Sequence, residues 1–257
     1  MPLNIVVLLK HIYDENQLKV DQSTGQVSFQ GVPGKLSTFD RNSLEAALRL
    51  KQKLGGSITT LTVGPQESER SIREGLAMGA DRAMLVKVAN ILEMSANEVA
   101  RIIINQLESL KPWHLLVASE GGADTYTSIL PSIIAQKTGL PLLSYLKSLD
   151  VLEDGTIKGD RALERGIITV KGKLPAIVSV VSEINEPRIP TLLQIMASTK
   201  KELKTVISEE NKQEDRYFKI LSLSGKSRER KRIIYEGSTQ EVVSKLVDSL
   251  LKEGALP

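Results

Sequence analysis

The sequence predicts an α/β fold: a doubly wound, mostly parallel, Rossmann-like sheet with a C-terminal extension. Strand-length apolar runs recur at Leu3 to Leu9, Ser57 to Val63, Ala83 to Val88, His114 to Ala118 and Leu174 to Val181. Amphipathic helical patterns stand between them, and that alternation favours parallel pairing through right-handed crossovers. The chain has 257 residues, 41% hydrophobic but only 4% aromatic, so Val, Ile and Leu must fill a sizeable core.

The elements follow in order. Leu3 to Leu9 is apolar apart from Asn4, as suits a strand buried on both faces. A stretch this short, with no basic residues before it and no small-residue cleavage site after it, reads as a strand rather than a signal peptide. Lys19 to Gln30 carries a Ser-Thr-Gly turn between β-prone arms and predicts a hairpin. Asn42 to Leu54 places Leu44, Ala47, Leu48 and Leu54 on one helix face, stopped by Gly55-Gly56. Glu67 to Met78 ends at Gly79, Ser95 to Leu110 stops before Pro112, and Ser128 to Lys137 ends at Gly139. Leu149 to Val170, turning at Asp154-Gly155, predicts a second antiparallel excursion. Glu183 to Pro190 is polar, with two prolines, and predicts an exposed loop. Glu202 to Arg232 is charged and weakly patterned. Thr239 to Lys252 is amphipathic, with Val242, Val243, Leu246, Val247 and Leu250 on one face. The C-terminal third lacks the apolar pattern for a core of its own and predicts an arm that packs on something else.

Composition removes whole classes of function. There is no cysteine, hence no disulfide, thiolate metal site or cysteine nucleophile. Two histidines, His11 and His114, leave little scope for a multi-histidine metal centre. Neither stands in a Ser/His/Asp context, and no catalytic residue is expected. With 34 Lys plus Arg against 31 Asp plus Glu, net charge does not drive polyanion binding. The basic run at 226–232 reads as a solvated turn or a subunit contact, not a nucleic-acid patch. No segment approaches the ~18 apolar residues that span a bilayer, so no membrane insertion is expected. The expected compartment is the cytoplasm, or the mitochondrial matrix in a eukaryote.

The chemically informative segment is Ser119 to Ser128. It follows an apolar strand, carries Gly121 and Gly122, and offers Asp124, Thr125, Thr127 and Ser128 where a helix should begin. Free amides at a helix start, with the dipole behind them, favour a phosphate. Plain N-capping uses the same residues, and the sequence leaves the two readings open. The segment is neither a Walker A loop nor GxGxxG. A nucleotide pocket there would draw on neighbouring strand ends: Leu8 to His11, Phe39-Asp40 before the first helix, and Val63-Gly64. For Lys10-His11 the plain reading is a strand end that caps the sheet. In the third segment, Asn185 to Lys201, prolines precede Leu192, Leu193, Ile195 and Met196, which on a loop are either tucked down or offered to a partner.

Taken together, the residues resemble the β subunits of electron-transfer flavoproteins along essentially the whole chain. The resemblance is carried by NIVVLLKHIYDENQLKVD, FDRNSLEAALRLK, VGP with IREGLAMGADRAMLV, GGADTYTS, and LPAIVSVVSEINEPRIPTLLQIMASTKK. It implies an adenine nucleotide α-hydrolase-like fold and a heterodimer whose α subunit carries most of an FAD site shared with this chain. It implies an electron carrier without turnover of its own, passing electrons from flavin dehydrogenases to an oxidoreductase. It also implies a structural AMP held by this chain, or a second FAD there in bifurcating members. The implied nucleotide contacts are Leu8, Phe39, Asp40, Val63, Ala118, Ser119, Gly121, Gly122, Ala123, Asp124, Thr125, Tyr126, Thr127 and Ser128. Glu186 to Thr199 matches the loop that docks partner dehydrogenases, with Leu192 as its anchor and Glu186, Pro187, Arg188, Ile195 and Met196 around it. The implied organisation is a nucleotide-binding domain over 1–184, a recognition loop over 185–201, and an arm over 202–257 packed on the α subunit. The sequence departs from the family at Ser37-Thr38, where an Asn-Pro is common, and at Glu15, where some relatives carry a flavin-facing Tyr. An ATP-using hydrolase-like enzyme is a rival reading. It is disfavoured because Ser119 to Ser128 holds no Lys or Arg to support a triphosphate.

Overall fold

The computed structural model describes residues 1–14, 16–21, 23–208, 221, 224–225 and 232–256. It contains two compact units. One comprises Met1–Lys19 with Ser28–Leu223, and the other Val20–Val27 with Ser224–Pro257.

In chain order the strands and helices are β1 (Leu3–Leu8), β2 (His11–Tyr13), β3 (Lys19–Val20), β4 (Val27–Ser28), β5 (Gly34–Leu36), α1 (Thr38–Leu54), β6 (Gly56–Gly64), α2 (Glu69–Met78), β7 (Arg82–Lys87), α3 (Ala96–Ser109), β8 (Leu115–Ser119), α4 (Leu130–Thr138), β9 (Leu142–Leu146), β10 (Asp150–Val151), β11 (Thr156–Leu163), β12 (Gly166–Lys173), β13 (Ala176–Val180), α5 (Leu192–Ser198), β14 (Leu203–Ile207) and α6 (Thr239–Lys252). The main sheet runs β10-β11-β9-β13-β8-β1-β6-β7-β14, with β12 paired to β11. From β9 to β14 every pairing is parallel. The β10–β12 excursion is antiparallel, as the Asp154-Gly155 turn predicts. The predicted α/β sheet is therefore the observed one.

The pleat of β1 sorts its side chains between two cores. Leu3, Ile5 and Val7 meet Leu44 and Leu48 of α1 and Ile72 and Leu76 of α2. Val6 and Leu8 meet Ala100, Ile103 and Leu107 of α3 and Ile134 of α4. Helices thus cover both faces, which is why β1 reads as a continuous apolar run. Gly75 lets α2 press onto the sheet: a Cβ there would stand 2.6 Å from Leu9 Cδ1. Gly79 ends α2 at φ 136, open to glycine and strained for other residues. Ser95 and Glu98 form a reciprocal capping box that starts α3. His114 is structural, its Nδ1 accepting from the Asn4 amide at 2.9 Å.

Several element limits differ from the sequence reading, each for a local reason. α1 starts at Thr38, not Asn42, so Phe39 and Asp40 lie in its first turn rather than in a preceding loop. No breaker stands in that stretch, and an acidic residue suits the positive end of the helix. α4 starts at Leu130, not Ser128, with Pro131 just inside it, where proline's missing N–H costs nothing. Tyr126 (φ 45) and Ser128 (φ 57) take left-handed conformations that keep the preceding residues out of the helix. The apolar run after Pro190 is the short helix α5 rather than loop. β9 and β14 are strands that the sequence reading does not anticipate. β14 places Leu203–Ile207 beside β7 in the main sheet, inside the stretch read as arm.

In the second unit, α6 opens with a Ser238–Glu241 capping box and buries none of its residues. β3 and β4 form the predicted hairpin as a separate two-stranded sheet.

Candidate functional site

The chain leaves β1 for β6 and β7 on one side and returns to β8 on the other. The carboxyl ends of β1 and β8 therefore flank the point where strand order reverses, the usual binding crevice of such sheets. Leu8 and Ala118, with Val63 packed against their cluster, form an apolar floor there.

Asp40 is the hub of this edge and only 4% exposed. The Lys10 amide donates to its Oδ2 at 2.6 Å, and Ser119 Oγ approaches its Oδ1 at 2.5 Å. Burial, opposed by these bonds, pushes its pKa up to about 7. Ser119 has one hydroxyl proton and two acceptors in reach, Asp40 and the Gly121 carbonyl at 3.1 Å. It serves Asp40 when the carboxylate is charged. When Asp40 is protonated, Asp40 donates to Ser119, which then donates to Gly121.

The loop after β8 is tied down from several sides. The Ala123 amide donates to Ser37 Oγ at 3.3 Å, so the side chain at position 37 does reach this loop. Lys10 Nζ stands 2.8 Å from Asp124 Oδ1 and 3.4 Å from Thr125 Oγ1. A Cβ on Gly122 would meet Asp124 Oδ1 at 2.6 Å and Lys10 Cδ at 3.1 Å, so glycine is needed for that approach. Tyr126 donates its hydroxyl to Glu120 at 2.7 Å, and its ring lies 5.6 Å from Phe39. The Glu120 bond holds the Tyr126 phenol up at about 12, so it stays protonated. Asp124, Thr125, Tyr126 and Thr127 are exposed and Ser128 half-buried.

The structure thus gathers Asp40, Ser119, Gly121, Gly122, Ala123 and Asp124 at one edge, with Phe39 and Tyr126 beside them. It joins Lys10 to them, within the strand end Leu8 to His11 that the sequence offers as a pocket candidate and whose plain reading is a cap on the sheet. Its position at the end of β1 was the available signal; what hid it was a partner, Asp124, far along the chain. His11 turns away, its Nδ1 2.7 Å from Ser71 Oγ and its pKa lowered by burial. Glu15 lies outside the described residues.

The second candidate region is rigid beneath and apolar above. Asn42 Nδ2 donates to the Ser182 and Asn185 carbonyls at 2.9 and 2.7 Å. Arg188 forks onto Glu45, Nε to Oε2 at 2.7 Å and Nη2 to Oε1 at 3.1 Å. Burial alone would raise the Glu45 carboxyl; the bonds from Arg188 and Arg49 hold it below its usual value. Arg188, offered as a partner contact, is thus committed inside the chain, and the Glu186 carbonyl accepts from Arg49. Arg73 Nη1 donates to the Ser198 and Lys201 carbonyls, and Lys201 Nζ donates to the Leu76 carbonyl in the last turn of α2 and to the Ala80 carbonyl just beyond it. Above this base Leu192 is 72% exposed, with Leu193, Ile195, Met196 and Ile189 around it. Apolar exposure of this extent on a fixed base is the kind of surface that suits an interaction with another protein.

By fold and site, this is a doubly wound α/β domain with a polar cluster at its switch point and an exposed apolar helix after its last central strand. The profile of the family described as the electron transfer flavoprotein domain matches residues 24–211. The electron transfer flavoprotein subunit beta of Thermoanaerobacterium thermosaccharolyticum is 29% identical, over 96% of this chain and 98% of that one. Its counterpart in Mycobacterium leprae is 33% identical, over 78% and 77%. The Caffeyl-CoA reductase-Etf complex subunit CarD of Acetobacterium woodii is 31% identical, over 76% and 74%. The chain belongs to the electron-transfer flavoprotein β-subunit family. Its role is accordingly electron transfer, in association with a flavin, an α subunit and redox partners. Among the described residues no helix is long and apolar enough to cross a membrane.

Proposed function

We propose that this chain pairs with an α subunit around an FAD, takes electrons from flavin dehydrogenases and passes them to an oxidoreductase. The flavin supplies the redox chemistry when bound; this chain has no turnover of its own. We place the pair in the cytoplasm, or the mitochondrial matrix in a eukaryote. At the switch point the chain holds AMP as a structural nucleotide. The observation that carries the nucleotide site is the cluster of Asp40, Ser119, Lys10 and Asp124 around a glycine-lined loop that opens toward α4. The apolar floor suits an adenine ring, while Lys10 and the Thr125, Thr127 and Ser128 hydroxyls suit a phosphate. The patch led by Leu192, with Ile195 and Met196, suits a dehydrogenase surface.

The test is to purify the chain with its α partner, denature the complex and identify the released nucleotides by chromatography and absorbance. One FAD and one AMP per heterodimer is the expected result. Ser128→Glu, which sets a negative charge against the phosphate, should empty the AMP site and leave the FAD. Stoichiometric AMP in that variant would put the phosphate elsewhere.

A second reading is a bifurcating subunit with a second FAD in the same place, prompted by the likeness to CarD, a subunit of a Caffeyl-CoA reductase-Etf complex. Two FAD and no AMP would decide for it. An ATP-using enzyme fits less well: Lys10 offers a single positive charge to the loop, beside the Asp124 carboxylate that would repel the further charges of a triphosphate.

A further inference from the structure

We propose that Lys10 is a binding residue for the phosphate of the nucleotide, and that Asp124 holds its ammonium in place until the phosphate arrives. The proposal rests on the nucleotide reading above and specifies how the site recognises charge.

Lys10 is fixed at its root. Its amide donates to buried Asp40 and its carbonyl accepts from the Ser37 amide at 3.0 Å. From there its side chain crosses the switch point to the loop after β8. The stem passes over Gly122, whose missing Cβ would stand 3.1 Å from Lys10 Cδ and 3.2 Å from Nζ. The ammonium ends against Asp124 Oδ1 and near Thr125 Oγ1, within the residues that precede α4. A lysine held by its backbone and guided along a glycine is aimed more narrowly than a free surface lysine, so less freedom is lost on binding.

The pair itself is half-exposed, its side chains at 39% and 26%. Ion pairs in that setting contribute little, because water screens them and two side chains are restrained. A phosphate dianion carries more charge than one carboxylate and offers three acceptor oxygens, so it competes well for the ammonium. Asp124, released, returns to solvent. Lys10 supplies one positive charge, which matches a single phosphate; the further charges of a triphosphate would meet the Asp124 carboxylate beside it. The ligand class is thus a nucleoside monophosphate.

Opposite charge changes separate this role from a structural latch. The heterodimer is stripped of nucleotide and titrated with AMP. Lys10→Met should raise the AMP Kd at least about tenfold. Lys10→Gln, which keeps polarity without charge, should do the same, and Lys10→Arg should recover much of the loss. Asp124→Asn, which still accepts from the Thr125 amide, should bind AMP as tightly as wild type or tighter. If Lys10 only latches the loop to Asp124, Asp124→Asn loses AMP as Lys10→Met does, and the proposal falls. It falls equally if Lys10→Met and Lys10→Gln bind AMP within about twofold of wild type. Wild-type protein that neither releases nor rebinds AMP would bring down the AMP reading of the site, a result distinct from either.

Discussion

Asp40 carries a pH-dependent strain at the switch point. Its folded pKa, about 7, lies above the ordinary carboxylate value of 3.8. Between those values the folded chain binds more protons than the unfolded one, so stability falls as pH rises through the window. The contribution of Asp40 to wild-type stability should therefore fall progressively from about pH 4 to 7. Asp40→Asn can satisfy the same neighbours: its oxygen accepts from the Lys10 amide, its amide donates to Ser119 Oγ, and Ser119 donates to Gly121. Melting curves across that range should show a flatter pH dependence in the variant; an unchanged slope would mean that Asp40 is not the group responsible. Leu192 is the residue-scale counterpart on the other region. At 72% exposure it cannot be a core residue, so Leu192→Ala should leave melting and flavin content unchanged. As a docking anchor its truncation should cost ~2 kcal/mol or more. At ~1.4 kcal/mol per factor of ten, that is about a 25-fold loss of affinity. Steady-state electron transfer at limiting dehydrogenase measures it, and a normal rate would remove Leu192 from the interface.

At the scale of the element, α5 is a seven-residue helix that does not stand on its own propensity. Pro187 and Pro190 stiffen its approach, Thr191 and Gln194 cap it reciprocally, and Arg73 gathers the carbonyls at its far end. The Thr-x-x-Gln signature before an apolar run was legible in the sequence, yet the prolines drew the reading toward a loop. Hydrogen bonds to a charged group contribute ~1.5 to 3 kcal/mol. Arg73→Ala should therefore free the end of α5, seen as faster amide exchange over residues 192–201, and slow transfer from the dehydrogenase. Protection equal to wild type would show that Thr191 and the packing on α2 suffice.

At the scale of the whole chain, α6 exposes Val243, Leu246, Val247 and Leu251 along one face. An amphipathic face without a covering core is stable when another surface covers it. In the proposed heterodimer that surface belongs to the α subunit. Truncation after Leu221 removes α6 but leaves β14 in the main sheet. The shortened chain should fold and melt cooperatively yet fail to co-purify with its partner. Undiminished heterodimer would place the contact elsewhere.

By itself the sequence determined the alternation of strands and helices, the two antiparallel excursions, the glycine-bearing loop after β8 and the amphipathic α6. Each is written in local pattern: apolar period, turn glycines, capping residues. It also carried the family resemblance. Only the tertiary structure decided that Lys10, Asp40 and Asp124 meet, because a parallel sheet brings the ends of β1 and β8 together across more than a hundred residues. The same holds for Arg188, drawn onto Glu45 on α1, and for β14, whose short alternating run becomes a strand through its pairing with β7. Contacts between distant strand ends and helix faces leave no periodic mark in either segment, so their chemistry becomes visible only when the sheet is assembled.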